Sequence, residues 1–128
     1  MTAEKNKKTI LLVDDEKDIA ELTRMRIISL GYNVILAGDG EEALIKIKNE
    51  HPDLILLDVK MPKLDGYQVC KAVKSDPAVK DIPIILFTAS SRHVMELGDR
   101  ALELGAASCI KKPFDSKDLL DQIKKLIG

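Results

Sequence analysis

Five short apolar runs separated by amphipathic stretches predict an α/β protein, a (βα)5 doubly wound parallel sheet with strand order 2-1-3-4-5. Two observations carry that prediction. The runs at 9–13, 54–57 and 84–87 are apolar at nearly every position, as in strands buried on both faces, and do not alternate with polar residues. The stretches between them place apolar residues at helical spacing, and right-handed crossovers then leave few topologies. In a sheet of this order, ligands bind outside the carboxyl ends of the strands, at the switch point between strands 1 and 3.

The chain has 128 residues, one domain's length and enough for a hydrophobic core. Its 45% hydrophobic and 32% charged residues are the balance of a globular protein. Twenty basic residues against twenty-one acidic ones give a net charge of −1. That argues against bulk attraction to nucleic acid by this domain itself. No apolar run approaches membrane-spanning length, and the start lacks the apolar core of a signal peptide, so a cytoplasmic protein with no membrane partner is expected. Cys70 and Cys109 fit neither a metal-ligand spacing nor a disulfide framework, and are expected to be reduced packing residues.

In order along the chain, residues 1–8 are polar and lysine-rich, a flexible N-terminal tail, and 9–128 form the domain. The first strand, 9–13, runs into Asp14 and Asp15. Helical spacing over 16–30 puts Ile19, Leu22, Ile27 and Leu30 on one expected inner face, with the Arg26 stem packing among them. Gly31 stops that helix. A short strand at 33–37 leads to a turn in which Asp39 is an N-cap, ahead of a helix that faces Ala43, Leu44 and Ile47 inward and ends near Glu50. The strand 54–57 delivers Asp58, and a short helix follows at 67–75. The strand 84–87 exits into Thr88; a helix at 92–104 contains Gly98 and ends at Gly105. The last strand, 106–110, exits into Lys111, Lys112 and Pro113. Asp115 or Ser116 then caps a final helix with Leu119, Leu120, Ile123, Leu126 and Ile127.

All carboxyl ends of a parallel sheet lie on one edge. Strands 1 and 3 are neighbours, about 4.8 Å apart, so Asp14, Asp15 and Asp58 meet at the switch point, flanked by Thr88 and Lys112. Each residue alone is ordinary: an N-cap, a turn hydroxyl, a surface lysine. Their coincidence at four strand ends is not. Three carboxylates together call for a cation, and few hard oxygen ligands near solvent suit magnesium. A carboxylate such as Asp58 can then act as a nucleophile and accept a phosphoryl group, with Thr88 and Lys112 available to two of its oxygens.

The segments Leu-Val-Asp-Asp-Glu (12–16), Leu-Leu-Asp-Val-Lys-Met-Pro-Lys-Leu-Asp-Gly (56–66), Phe-Thr-Ala (87–89) and Lys-Pro-Phe (112–114) resemble, in order, the motif set of the response-regulator receiver domain. The resemblance implies a CheY-like, flavodoxin-like fold and a place in a two-component phosphorelay. It implies that Asp58 takes phosphate from a histidine kinase or histidine phosphotransfer protein. It also implies that Asp14, Asp15, Asp58 and the backbone carbonyl of Lys60 hold Mg2+, for which Mn2+ can substitute. Thr88 and Lys112 bind the phosphoryl group, Lys112 rather than Lys111 because the family's lysine directly precedes the proline. The peptide before Pro113 is expected to be cis. Phosphorylation would alter the face made by the fourth helix, fifth strand and fifth helix, read by a downstream effector protein or a tethered output domain, or by a second copy in a phosphorylation-dependent homodimer. Thr88, Cys109 and Pro113 are the switch-associated positions. Many family members carry an aromatic residue or histidine where this chain has Cys109, which is too small to fill the same volume. Lys60 and Ser90, two residues after Asp58 and Thr88, flank the path of the water that hydrolyses the acyl phosphate.

The expected role is therefore a signalling phosphoacceptor, not an enzyme beyond self-catalysed phosphotransfer and autodephosphorylation. An alternative stays open: a receiver fragment of a larger DNA-binding or enzymatic response regulator. A haloacid-dehalogenase phosphatase would need an Asp-x-Asp loop after strand 1 and a cap, and this chain has Asp14-Asp15-Glu16 and no insertion long enough. A dinucleotide fold needs a glycine-rich turn where Asp14-Asp15-Glu16-Lys17 would repel a pyrophosphate. A purely unphosphorylated scaffold would not need the acidic, threonine and lysine positions intact.

Overall fold

The computed structural model describes residues 7–61, 64–88, 103–111 and 116–128. Five strands form one parallel sheet: β1 (Thr9–Val13), β2 (Asn33–Ala37), β3 (Leu54–Asp58), β4 (Ile84–Thr88) and β5 (Ser108–Lys111), in the order β2-β1-β3-β4-β5. The expected order is thus found. β3 and β4 each run one residue past their apolar stretch, so Asp58 and Thr88 are the last residues of strands. β5 begins two residues later than expected, although Ala107 still donates its amide to the Ile84 carbonyl at 2.9 Å. Three helices follow the first three strands: α1 (Lys17–Ser29), α2 (Gly40–Glu50) and α3 (Gly66–Lys74). A C-terminal helix spans Ser116–Ile127. Most of the helix expected at 92–104, with Gly98 in it, lies outside the described residues; Glu103 and Leu104 are helical and Gly105 follows at φ 83°.

Strand alternation divides the core in two. Leu11, Val13, Ile55, Leu57, Ile84 and Leu86 point to the α2 and α3 side, where Ala43, Ile47, Val69, Cys70 and Val73 meet them. Ile10, Leu12, Leu54, Leu56, Ile85 and Phe87 point the other way, against Ala20 and Ile27 of α1 and Leu119 and Ile123 of the C-terminal helix. β3 and β4 are buried along their whole length, the physical reason their sequences do not alternate.

Helix ends follow local chemistry. Asp39 caps α2 by accepting the Glu42 amide at 2.8 Å. Asp65 and Gln68 form a reciprocal capping box at the start of α3, with both bonds at 2.9 Å. His51 ends α2 in the left-handed region at φ 46°, on the amino-terminal side of β3.

The inner face of α1 keeps the expected Ile27 and Leu30 against the core but differs from the sequence expectation in its first half. Ala20, Thr23 and Ile27 are buried, whereas Ile19 and Leu22 are 39% and 63% exposed and Arg26 is exposed outright. Two rows at helical spacing compete here, and both contain aliphatic residues. The row Ala20, Thr23 and Ile27 is the one that faces the sheet. Thr23 is tolerated inside because its hydroxyl donates to the Ile19 carbonyl at 3.0 Å. Leu56→Ala, in the fully buried row, should destabilise the protein by about 2–5 kcal/mol. Leu22→Ala should change stability by no more than about 0.5 kcal/mol. Urea unfolding of the two variants measures the contrast.

Candidate functional site

β1 and β3 are adjacent, and their register pairs Val13 with Leu57, so Asp14 and Asp58 are the next residues on neighbouring strands. Both are nearly shielded from solvent, at 2% and 5% exposure. Such carboxylates require polar partners. Asp14 Oδ1 accepts the Glu16 amide at 3.0 Å, and Asp58 Oδ1 accepts the Lys60 amide at 3.2 Å. Each strand end thus turns back on its own carboxylate two residues later, the geometry expected of an aspartate that opens a loop.

Asp15 and Glu16 are exposed beside Asp14. Carboxylate oxygens of Asp14, Asp15 and Glu16 lie within 4.8 Å of one another. Glu16 was not among the metal ligands expected from the sequence; its signal was its place two residues after Asp14, where the Asx turn brings its carboxylate round. Among the described residues, Asp58 is outside this mutually close set and approaches the same edge from β3. An all-oxygen, multiply anionic donor set fits a hard divalent cation such as Mg2+, which retains part of its water shell.

The remaining edge is built by β4 and β5. Asp58 pairs in register with Phe87, so Thr88, 3% exposed, follows one residue further along. Thr88 in turn pairs with Lys111, which is exposed, in keeping with the surface role its strand position suggests. Lys112, Pro113 and Ser90 lie outside the described residues. The Lys60 side chain is exposed and Val59 donates its amide to the Phe87 carbonyl at 2.9 Å, which ties the loop after Asp58 to β4.

Cys109 is half-buried on β5 and packs against the α2–α3 side of the core. Cys70 is fully buried in that cluster, with its Sγ 3.7 Å from the Leu104 carbonyl. Burial pushes the Cys70 thiol above its ordinary value, while the Lys74 ammonium pulls it the other way.

Comparison with known proteins places these features in context. A family description, response regulator receiver domain, matches residues 10–124. A protein of Cyanophora paradoxa named "Probable transcriptional regulator ycf27" is 47% identical over 124 residues, covering 95% of this chain and 49% of that protein. The alkaline phosphatase synthesis transcriptional regulatory protein PhoP of Bacillus subtilis is 43% identical over 120 residues, covering 94% and 48%. The chain therefore spans about half the length of the curated relatives it matches. Among solved structures, the receiver domain of a sensor histidine kinase from Pseudomonas aeruginosa, crystallised with a magnesium ion coordinated in its active-site cleft, has a TM-score of 0.86. It is 30% identical, and the match covers 95% of this chain and 98% of that one.

Iodoacetamide should modify Cys109 before Cys70 in the folded protein, as peptide mass mapping over time would reveal. The raised Cys70 value links folding to pH. The stability tied to its protonated thiol is present below the unfolded value of about 8.5 and is lost as pH rises toward the folded one. Urea midpoints taken between neutral pH and about pH 9.5 should therefore fall less in Cys70→Ala than in the unsubstituted protein.

Proposed function

Because this chain belongs to the response regulator receiver domain family, we propose that its Asp58 carboxylate accepts a phosphoryl group from a phosphohistidine donor, carried by a histidine kinase or a histidine phosphotransfer protein. The observation that carries this reading is the placement of buried Asp58 beside buried Asp14 at the ends of adjoining strands, with buried Thr88 on the next strand. A carboxylate oxygen of Asp58 attacks phosphorus as the P–N bond of the donor breaks. The electron pair of that bond returns to the imidazole nitrogen, and Asp58 becomes an acyl phosphate.

Phosphoryl transfer depends mainly on positioning and on neutralising charge at the equatorial oxygens. Asp14 and Asp15, together with Asp58 and the Lys60 carbonyl, are the groups proposed to hold Mg2+ or Mn2+, and Glu16 adds a carboxylate to the same cluster. A cation held by these groups would supply charge neutralisation for the transfer. The Lys60 amide already donates to Asp58 and fixes the carboxylate's orientation. Thr88 donates its hydroxyl to one phosphoryl oxygen and Lys112 pairs with another.

Movement of Thr88 toward the phosphoryl group then changes a surface to which β5 and the C-terminal helix contribute, with Cys109 on the route; most of the expected fourth helix and Pro113 lie outside the described residues. Cys109 cannot replace the volume of an aromatic ring, so the part of the response that such a ring carries elsewhere in the family is not supplied by this side chain in the same way. A second reading is favoured by relatives named as transcriptional regulators and about twice as long as the matched region. In that reading the receiver controls a tethered DNA-binding output domain.

Incubation with acetyl phosphate and Mg2+ should add one phosphoryl group by intact mass, and Asp58→Asn or a chelator should abolish the gain. No mass gain at Asp58 under these conditions would exclude the assignment. Continuous phosphate release from ordinary monoesters would instead indicate a hydrolase.

A further inference from the structure

The loop between β3 and α3 is held from a direction that the phosphoacceptor chemistry does not by itself require. Its distal end closes on its beginning, since Gly66 donates its amide to the Val59 carbonyl at 2.8 Å. A side chain at Gly66 would run into the backbone of Asp58 and Val59, so this closure needs glycine. On the outer side, the loop lies against the first residue of α2. A Cβ at buried Gly40 would sit 2.6 Å from Leu64 Cβ, 2.7 Å from the Leu64 carbonyl oxygen and 2.9 Å from Val69 Cγ2. Two of those atoms belong to the loop, and one is backbone that no rotamer change can move. By contrast, a Cβ at Gly38, two residues earlier, would meet nothing within 4 Å.

At its proximal end the same loop holds the acceptor. The Lys60 amide donates to Asp58 Oδ1 at 3.2 Å, and the Val59 amide is tied to the Phe87 carbonyl at 2.9 Å. A chain of contacts among described residues therefore runs from Gly40 at the start of α2 to Leu64, through Asp65 and Gly66 to the Val59 carbonyl, and on to the Lys60 amide that donates to Asp58. We propose that Gly40 is a positioning residue for phosphoryl acceptance: its missing side chain lets α2 close on Leu64, and that contact sets the loop that aims the Asp58 carboxylate. The proposal rests on the receiver function assigned to Asp58. Gly40 touches no reacting group and acts only through the loop.

The test compares the unsubstituted protein, Gly38→Ala and Gly40→Ala. Three quantities are measured: the rate of labelling by acetyl phosphate and Mg2+ per folded molecule, the amide resonance of Lys60 without metal or donor, and the thermal midpoint. Gly38→Ala should match the unsubstituted protein in the first two. Gly40→Ala should shift the Lys60 amide and slow labelling on the order of tenfold, since misplacing reacting groups by about 1 Å can cost up to about 10²-fold. A lowered midpoint with an unmoved Lys60 amide and an unchanged labelling rate is the signature of packing alone and overturns the proposal. Should Gly40→Ala fail to fold, Leu64→Gly releases the same contact from the loop side. It should slow labelling and shift the Lys60 amide likewise, and unchanged values there overturn the proposal. Failure of the unsubstituted protein to label at Asp58 would remove the receiver assignment and the proposal with it. A labelled parent with an unaffected Gly40→Ala removes the positioning role alone.

Discussion

A carboxylate at the end of a strand with no solvent on either face is the constraint around which this molecule is arranged. β3 lies between β1 and β4 and is buried along its length. Asp58 inherits that burial, at 5% exposure. An ionised group there is stable only with hydrogen bonds and compensating charge. The Lys60 amide supplies one such bond. Asp14 on β1 meets the same constraint with the same device, through the Glu16 amide. Two neighbouring strands thus end in the same turn chemistry, and their side-by-side placement brings the Asp14 and Asp58 carboxylates to one edge of the sheet.

The surrounding packing keeps this edge in register. The sheet uses one set of alternating residues to bind α2 and α3, and the other to bind α1 and the C-terminal helix. A slip of one residue would exchange the two faces and move Asp58 off the edge. Turns at the opposite edge add to the registration: Asp53 Oδ2 accepts the Thr9 amide at 2.7 Å, which joins the start of β3 to the start of β1. The loop after Asp58 is then confined by backbone contact at Gly40 and Gly66, where any side chain would intrude. Stability and site geometry therefore share the same atoms around the acceptor.

Much of this was legible in the residues. β1, β3 and β4 announced themselves as uninterrupted apolar runs because strands buried on both faces need no polar alternation. Asp39 and Gly31 marked helix boundaries through local backbone chemistry, which depends little on distant contacts. Asp14, Asp58 and Thr88 could be placed on one edge from their positions at strand exits. Glu16 was less visible, because its approach to Asp14 and Asp15 follows from the three-dimensional course of a turn. The inner face of α1 was read correctly at Ile27 and Leu30 and misread at Ile19 and Leu22, for a related reason. Ile19 and Leu22 are more hydrophobic than Ala20 and Thr23, yet the smaller pair faces the sheet.

The sequence by itself determined the parallel α/β architecture, the strand order and the residues at the strand exits, because burial pattern and turn chemistry are local properties that survive without coordinates. Tertiary structure alone decided which side of α1 is dry, how the acidic trio is composed and which glycines bear on the acceptor loop. The first and last depend on distances between segments far apart in the chain, and the second on the conformation of the turn after β1. Gly40 and Gly38 are both glycines beside the same turn residue, and only the approach of Leu64 separates one that tolerates a side chain from one that does not.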